Sequence, residues 1–221
     1  QQVLTPVRQK ISEATGVPAD AVYIHCTHTH TAPQISENTT GKLPEKWHFY
    51  QEMLYAKFVD AADLAFQDLA PAKMGWAVGN APHIAFIRRY RMKDGSVRTN
   101  PGVNNPDILH PIGDIDERVT VLRFDREGAD TLVLANFGNH PDVVGGCKVS
   151  ADWPGMTRRT VEKVFDGVKC IFTNGAQGDL IHADRFNVEK HEFNQNIKIG
   201  VKHSMHMGKT LAGIVLGLYT Y

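Results

Sequence analysis

The chain has few cysteines, no surplus of charge of either sign and no long apolar run, and each absence narrows the possible classes of protein. Its 221 residues include three cysteines, Cys26, Cys147 and Cys170, whose wide spacing defines neither a disulfide framework nor a zinc ribbon. Twenty-four basic residues balance twenty-four acidic ones, and no basic block is interleaved with aromatic residues, which argues against nucleic acid as a partner. No segment approaches the ~20 apolar residues of a membrane span, so no transmembrane segment is predicted.

What the chain does contain is the composition of a globular protein and an alternation of helix and strand patterns. Hydrophobic residues make up 42% of the chain and charged residues 22%, enough for a sizeable core. The predicted helices are Val3–Ala14, Trp47–Leu69, Asp152–Phe165 and His203–Tyr219. The predicted strands are Ala21–Thr27, Lys73–Val78, Val119–Phe124, Thr131–Phe137 and Lys169–Thr173. This alternation predicts an α/β fold, a layered mixed sheet flanked by helices, with strand 131–137 buried on both faces.

One long stretch, residues 83–111, shows no periodicity and is predicted to be a loop. Turn signals such as Asp94-Gly95 interrupt it. A loop of this length is usually functional or disordered. Its three arginines, Arg88, Arg89 and Arg91, favour a functional loop that reaches toward an anion or a polar substrate.

The most informative segment carries three histidines within residues 25–30. On a strand, alternate side chains point to the same side, so His28 and His30 are expected to face one side together where Ala32-Pro33 begins a loop. Two adjacent imidazoles are a natural half of a metal site, whose remainder must come from elsewhere in the fold. The alternative is a polar strand end whose histidines are only hydrogen-bonded.

Other chemistry-bearing residues also follow predicted strands. His140 comes after strand 131–137, and Asp179 and His182 come after strand 169–173. Because ligand sites in open α/β sheets gather at the carboxyl ends of strands, these loops are expected to converge. This predicts a metal site at strand ends, with His28 and His140 as ligands of one zinc ion. Two imidazoles leave that ion short of ligands, so a carboxylate or a phenolate must come from elsewhere.

Three segments, in the same order and at similar spacing, resemble segments of the neutral ceramidases. The first resembles the Thr-His-Thr-His-Ser-Gly-Pro segment of that family, the second its second histidine segment with the Ser-Asp that follows, and the third a segment ending in Gly-Asp. In this chain the segments are Thr27–Pro33, then Gly138–Pro141 with Ser150–Asp152, and lastly Asn174–Asp179. Arg88 falls where the family has an active-site arginine, and the resemblance spans residues 3–219.

The resemblance implies a function, since the neutral ceramidases are zinc amidases that hydrolyse the N-acyl bond of ceramide. It implies Zn²⁺ as cofactor, His28 and His140 as metal ligands, and attack of zinc-activated water on the amide carbonyl. It also implies that His30 acts as general acid or base and that Arg88 orients the substrate or steadies the oxyanion. His182 is a further candidate catalytic residue, with a solvated loop residue as the alternative. The implied substrate is a lipid-like N-acyl compound, and the implied location is periplasmic or secreted.

Two departures from the family pattern qualify these expectations. The family has a serine after Gly-Asp-x, where this chain has Ile181, which weakens the case for ceramide itself. The chain also ends before the region where the family supplies a carboxylate and a tyrosine to zinc. Residues 1–221 are therefore expected to form a single catalytic α/β domain of a longer chain, with the remaining zinc ligands outside it. Asp152 and Asp179 are expected to fix loops.

Alternatives from other classes remain. A non-catalytic ligand-binding module with the same fold would retain Arg88 and could lose the metal, and Ile181 supports it. The His-x-His site of barrel amidohydrolases requires eight βα units, and the chain shows too few strands. On the last predicted helix, His203 and His206 can share a face, but an exposed polar face is favoured over a metal role. No oligomeric state is predicted.

Overall fold

The structure is a computed structural model that describes residues 4–33, 45–187, 192–193 and 198–220. The chain divides into two compact units, one formed by residues 1–25 and 33–71 and the other by residues 26–32 and 72–221. In the first unit, α1 (Leu4–Thr15) packs against α2 (Glu45–Gln67), with a short 3-10 helix at Ala19–Ala21. The single catalytic domain predicted for residues 1–221 stays a prediction.

The second unit contains the sheets of the protein. Its elements in chain order are β1 (Ala72–Asn80), β2 (Phe86–Ile87), β3 (Arg89–Met92), β4 (Val97–Thr99), β5 (Ile108–Pro111), β6 (Arg118–Arg126), β7 (Thr131–Phe137), α3 (Asp152–Val164), β8 (Val168–Asn174), β9 (Leu180–Ile181), β10 (Phe186–Asn187), β11 (Glu192–Phe193) and α4 (Val201–Tyr219). The main sheet has the order β1-β6-β7-β8. Its first three strands are antiparallel neighbours, and β8 runs parallel to β7. The parallel step needs a crossover, which α3 supplies.

Helices α3 and α4 pack against each other and against one face of the main sheet. In β7, Val133, Ala135 and Phe137 are fully buried, whereas the residues between them are only half-buried. The described residues therefore cover one face of β7, and the prediction that both faces are buried is wrong. The predicted α/β class, a mixed sheet with flanking helices, is confirmed. Among the described residues, no helix combines the length and hydrophobicity that a membrane crossing requires.

The stretch predicted as a long loop, residues 83–111, contains four short strands instead. Strand β3 lies between β4 and β5, and β2 pairs with β9. In β3, Tyr90 and Met92 are buried and alternate with half-buried arginines. With Ile108 and Phe186 they form a small second core. This alternation with a period of two is a strand signal that the surrounding turn residues concealed.

Candidate metal centre

The segment that leads to His28 is irregular rather than a strand. Residues 22–29 form no strand pairing with any other described segment, so the predicted strand Ala21–Thr27 is wrong and His28 does not follow a strand. Tyr23, expected to be buried, is 79% exposed. A strand needs a hydrogen-bonded neighbour, and a short apolar run does not by itself guarantee one.

Hydrogen bonds with the loop that follows β7 hold the histidine segment in place. The hydroxyl of Thr29 donates to the carbonyl of Ser150 at 2.9 Å. The backbone N–H of His30 donates to the carbonyl of Pro141 at 3.1 Å. His28, which comes just before these contacts, has a backbone φ of 67°. This value lies in the left-handed region that non-glycine residues adopt only occasionally. The position of this segment therefore depends on long-range contacts and not on a sheet register.

His140 lies three residues after β7, at a strand end as predicted, and buried amides fix its backbone. The side chain of Asn139 donates to the carbonyl of Ile84 at 2.8 Å and accepts from the N–H of His140 at 2.8 Å. At the end of β8, the side-chain amide of Asn174 donates to the carbonyls of Asn139 and Thr27 at 3.0 and 3.2 Å. One amide group thus links the two segments that carry the histidines.

The imidazoles of His28, His30 and His140 lie together. Their ring centroids are 4.8 Å apart for His28 and His140, 5.2 Å for His28 and His30, and 5.3 Å for His30 and His140. One ligand nitrogen of each ring lies within 4.8 Å of the other two. Zn–N bonds of about 2.0–2.1 Å would bring tetrahedral ligand nitrogens to roughly 3.4 Å from one another, so small side-chain rotations suffice. The three residues predicted for the metal and its immediate surroundings are therefore close together in space.

A hydrogen bond selects the tautomer of His140. Its Nδ1 lies 2.8 Å from the carbonyl oxygen of Gln177. Because a carbonyl only accepts hydrogen bonds, Nδ1 carries the proton and Nε2 keeps its lone pair. Histidines that bind metals are held in this way, with the second ring nitrogen donating to a carbonyl or a carboxylate. The residues of the cluster therefore fit a zinc ion.

The electrostatic environment also favours neutral imidazoles in the cluster. Burial lowers the pKa of His28, and the nearby His30 and Arg88 lower it further, while Asp142 opposes them. Burial likewise lowers the pKa of His140, again with Arg88 acting in the same direction. Histidines with lowered pKa values are neutral near neutral pH, so their lone pairs are available to a cation.

Arg88 lies between β2 and β3, close enough for its charge to lower the pKa values of the two histidines just described. Its Nε donates to the carbonyl of Gly178 at 2.9 Å, and its backbone N–H donates to the carbonyl of Asp179 at 2.9 Å. The pairing of Phe86 with Ile181 holds the same two loops together. A half-buried guanidinium beside the cluster is suited to binding an anion, and its role toward a substrate stays a prediction.

Both aspartates expected to fix loops do so. Asp179 accepts a hydrogen bond from Arg89 at 2.9 Å. The buried carboxylate of Asp152 accepts from the N–H groups of residues 143–144 at 2.9 and 3.0 Å, and from the N–H of Trp153 at 2.7 Å. Asp152 thereby holds the loop that follows β7 and carries His140.

His182 does not belong to the three-histidine cluster, and its catalytic role stays a prediction. It is buried just after β9, and its Nδ1 lies 3.1 Å from Oδ1 of Asp142. Burial opposes the ionisation of Asp142, yet the hydrogen bond that it accepts from His182 helps to bring its pKa below the ordinary value. Sequence reasoning missed Asp142, although it stands two residues after His140. The signal that could have identified Asp142 was its position close to His140, a predicted metal ligand.

These observations define an α/β protein with a candidate three-histidine metal centre on loops beside the main sheet. Its fold is that of neutral ceramidases. A crystal structure of neutral ceramidase from Pseudomonas aeruginosa superposes with a TM-score of 0.65 at 16% identity, over 97% of this chain. A ceramidase structure complexed with C2 superposes with a TM-score of 0.63 at 18% identity, over 99% of this chain. The resemblance inferred from three motifs is thus confirmed at the level of the fold.

The similarity is structural. No protein-family model matches the chain, and no curated protein matches it by sequence. The chain spans 34% of the length of each ceramidase structure.

Proposed function

We propose that the protein is a zinc-dependent hydrolase of an N-acyl amide bond, with ceramidase-like chemistry. The observation that carries this proposal is the convergence of His28, His30 and His140 in a chain with the neutral ceramidase fold. Imidazole is a preferred ligand of Zn²⁺, and the lowered pKa values of two of these residues support metal binding. When bound, zinc supplies an activated water molecule and polarises a carbonyl oxygen.

The residues of the centre are proposed to have different roles. His28 and His140 have the closest ring pair, at 4.8 Å, and hold the ion. His30 lies 5.2 and 5.3 Å from these two rings, and in this proposal it takes and returns a proton as general acid or base. The Arg88 guanidinium binds the carbonyl oxygen as negative charge develops on it. His182 acts on the centre through Asp142, to which it is hydrogen-bonded.

The substrate is proposed to be a lipid-like N-acyl compound that differs from ceramide in its polar part. Ile181 is 3% exposed in β9, at the position where the ceramidase pattern has a serine. A buried isoleucine offers no hydroxyl to a substrate. On the resemblance alone, we also propose that residues 1–221 form one catalytic domain and that the protein works in the periplasm or outside the cell.

A second candidate function is a non-catalytic module that binds an acylated ligand. Ile181 favours this candidate too, because a missing substrate-contacting hydroxyl is compatible with binding without cleavage. Such a module would use Arg88 to bind its ligand and would not need the metal. The two candidates therefore differ in their need for His28. The hydrolase requires it to cleave the ligand, whereas the binding module binds its ligand without it and cleaves nothing.

The test is zinc stoichiometry, measured by elemental analysis and calorimetric titration of the metal-stripped chain. Relative to wild type, His28→Ala and His140→Ala are each expected to lose one equivalent of Zn²⁺. His30→Ala is expected to keep that equivalent and to lose hydrolysis of a short-chain N-acyl amide. His110→Ala is a matched control, because His110 is exposed and its Nδ1 contacts only the neighbouring Pro111 carbonyl among the described residues.

Three results would contradict parts of the proposal. Unchanged zinc binding in His28→Ala and His140→Ala would exclude the metal centre. Loss of the same equivalent in His30→Ala would make His30 a third ligand rather than a proton carrier. Zinc binding without hydrolysis, together with ligand binding that survives His28→Ala, would establish the binding module instead.

A further inference from the structure

A second group of histidines lies in the same unit, separate from the three-histidine cluster. The rings of His182 and His203 have centroids 5.7 Å apart, and those of His203 and His206 are 6.0 Å apart. These separations are wider than the 4.8 to 5.3 Å of the first cluster. Among the described residues, only the first cluster brings three ligand atoms within 4.8 Å of one another, so the second group must rotate its side chains to hold an ion. His182 follows β9, whereas the other two residues lie on the first turns of α4.

The ring of His182 is held in the tautomer that a metal ligand needs. Its side chain is 5% exposed, and its Nδ1 lies 3.1 Å from Oδ1 of Asp142. An ionised carboxylate only accepts hydrogen bonds, so Nδ1 carries the proton and Nε2 keeps a lone pair. That Nε2 atom is buried and has no hydrogen-bond partner among the described residues. In histidines that bind metals, one ring nitrogen donates a hydrogen bond to a carboxylate and the other is free to bind the ion, and His182 has this arrangement.

His203 presents the complementary feature. Its Nδ1 is also buried and without a hydrogen-bond partner within the described part of the chain. A buried polar atom without a partner costs free energy, and two such nitrogens on neighbouring rings are rare in native structures. One cation bound between these rings would satisfy both nitrogens.

We propose that His182 and His203 form a second metal site, which takes a divalent transition-metal ion such as Zn²⁺, with His206 as the outer ligand. Three imidazoles with an open fourth position suit zinc, and imidazole selects such ions over Mg²⁺ or Ca²⁺. Asp142 is the positioning residue of this site, because it fixes the His182 ring. Its charge also acts on His28 and His140, so one carboxylate serves both clusters. The second site does not depend on the proposed hydrolase activity.

The experiment uses the purified full chain, stripped of metal with a chelator and titrated with Zn²⁺ alone. Elemental analysis after gel filtration gives the stoichiometry, and visible absorption of the Co²⁺-substituted protein reports the ligand set of each site. Wild type is expected to bind two equivalents and His203→Ala one. His206 is exposed, so His206→Ala leaves the fold intact, and it is expected to weaken the second equivalent at least tenfold. His110→Ala, outside both clusters, is expected to bind two equivalents.

The outcomes separate this proposal from the proposed function. If His203→Ala and His206→Ala bind as much zinc as wild type with the same affinities, the second site does not exist. Loss of one equivalent in His28→Ala but none in His203→Ala overturns the second site and leaves the first. The reverse pattern upholds the second site and removes the first. The Asp142→Asn variant is expected to weaken the second site about 10- to 100-fold. Unchanged affinity in that variant would remove Asp142 from its positioning role.

Discussion

Asp152→Asn is the sharpest test of how the loop after β7 is held. The Asp152 carboxylate is 1% exposed and accepts three backbone hydrogen bonds, two at residues 143–144 and one at Trp153. Asparagine has nearly the same shape, and it tolerates the φ of 49° found at this position as well as aspartate does. The substitution therefore changes hydrogen bonding and charge without opening a cavity or straining the backbone.

The expected loss follows from the number of acceptors. Hydrogen bonds to charged groups contribute about 1.5–3 kcal/mol each, and neutral ones about 0.5–1.5 kcal/mol. The carbonyl oxygen of the introduced asparagine would keep the two bonds at residues 143–144, each weakened by about 1 kcal/mol. The bond to Trp153 N–H is lost, because the amide offers a donor there, at a cost of about 2 kcal/mol. The free energy of unfolding should fall by about 4 kcal/mol, a large fraction of the ~5–15 kcal/mol typical of a domain.

The assay is urea denaturation at neutral pH, with Asp166→Asn as the matched control. Asp166 is exposed at the end of α3, so its substitution should change the free energy of unfolding by less than about 0.5 kcal/mol. A loss below about 1 kcal/mol in Asp152→Asn would refute the reasoning, since the buried N–H of Trp153 cannot lose its acceptor, with two further bonds weakened, at so small a cost. Weaker zinc binding at the cluster that contains His140 is expected alongside the loss of stability, because the same loop carries that ligand.

Two further predictions concern the packing of the core. A Cβ on Gly208 would collide with Cβ of Met156 and lie 2.7 Å from the carbonyl oxygen of Trp153, so Gly208→Ala should cost about 3 kcal/mol in thermal denaturation. Gly213→Ala, whose Cβ would meet nothing within 4 Å, should be neutral or slightly stabilising. Burial raises the pKa of Cys170 from 9.0 to about 11, so the unfolded chain loses this proton first as the pH rises. The free energy of unfolding should therefore fall by about 3 kcal/mol between about pH 9 and about pH 11, and Cys170→Ala should remove this dependence; an equally steep decline in the variant would contradict it.

The elements of the fold that were predictable are those whose pattern is local. Four helices and four strands were found where the local sequence pattern placed them. The strand predicted for residues 21–27 failed for the converse reason, since a strand exists only with a partner. In the stretch 83–111, the alternation of Tyr90 and Met92 was overridden by turn residues, although both side chains are 2% exposed.

The site was predictable where residue type and spacing carry chemistry, and not where contacts are long-range. His28 and His30 come together with His140, more than one hundred positions away, and both the predicted strand ends and the order of the motifs pointed to that convergence. The contact between Asp142 and His182 spans forty positions and has no sequence signature. The group of rings formed by His182, His203 and His206 also has no sequence signature. The spacing of His203 and His206 along one helix suggested only an exposed polar face.

The charge of Asp142 accounts for the placement of both histidine clusters beside one loop. Gathering several imidazoles is unfavourable when any of them is protonated, and the nearby Arg88 adds to this repulsion, as the lowered pKa values of His28 and His140 show. A cation that enters the cluster of His28, His30 and His140 meets this repulsion from Arg88, so a neighbouring negative charge must offset part of it. Asp142 raises the pKa of both ligands and hydrogen-bonds to His182, which places its carboxylate where it favours positive charge at either cluster. In the proposed metal centre, the neutral imidazoles of His28 and His140 would supply the lone pairs, and this carboxylate would favour the arrival of the ion.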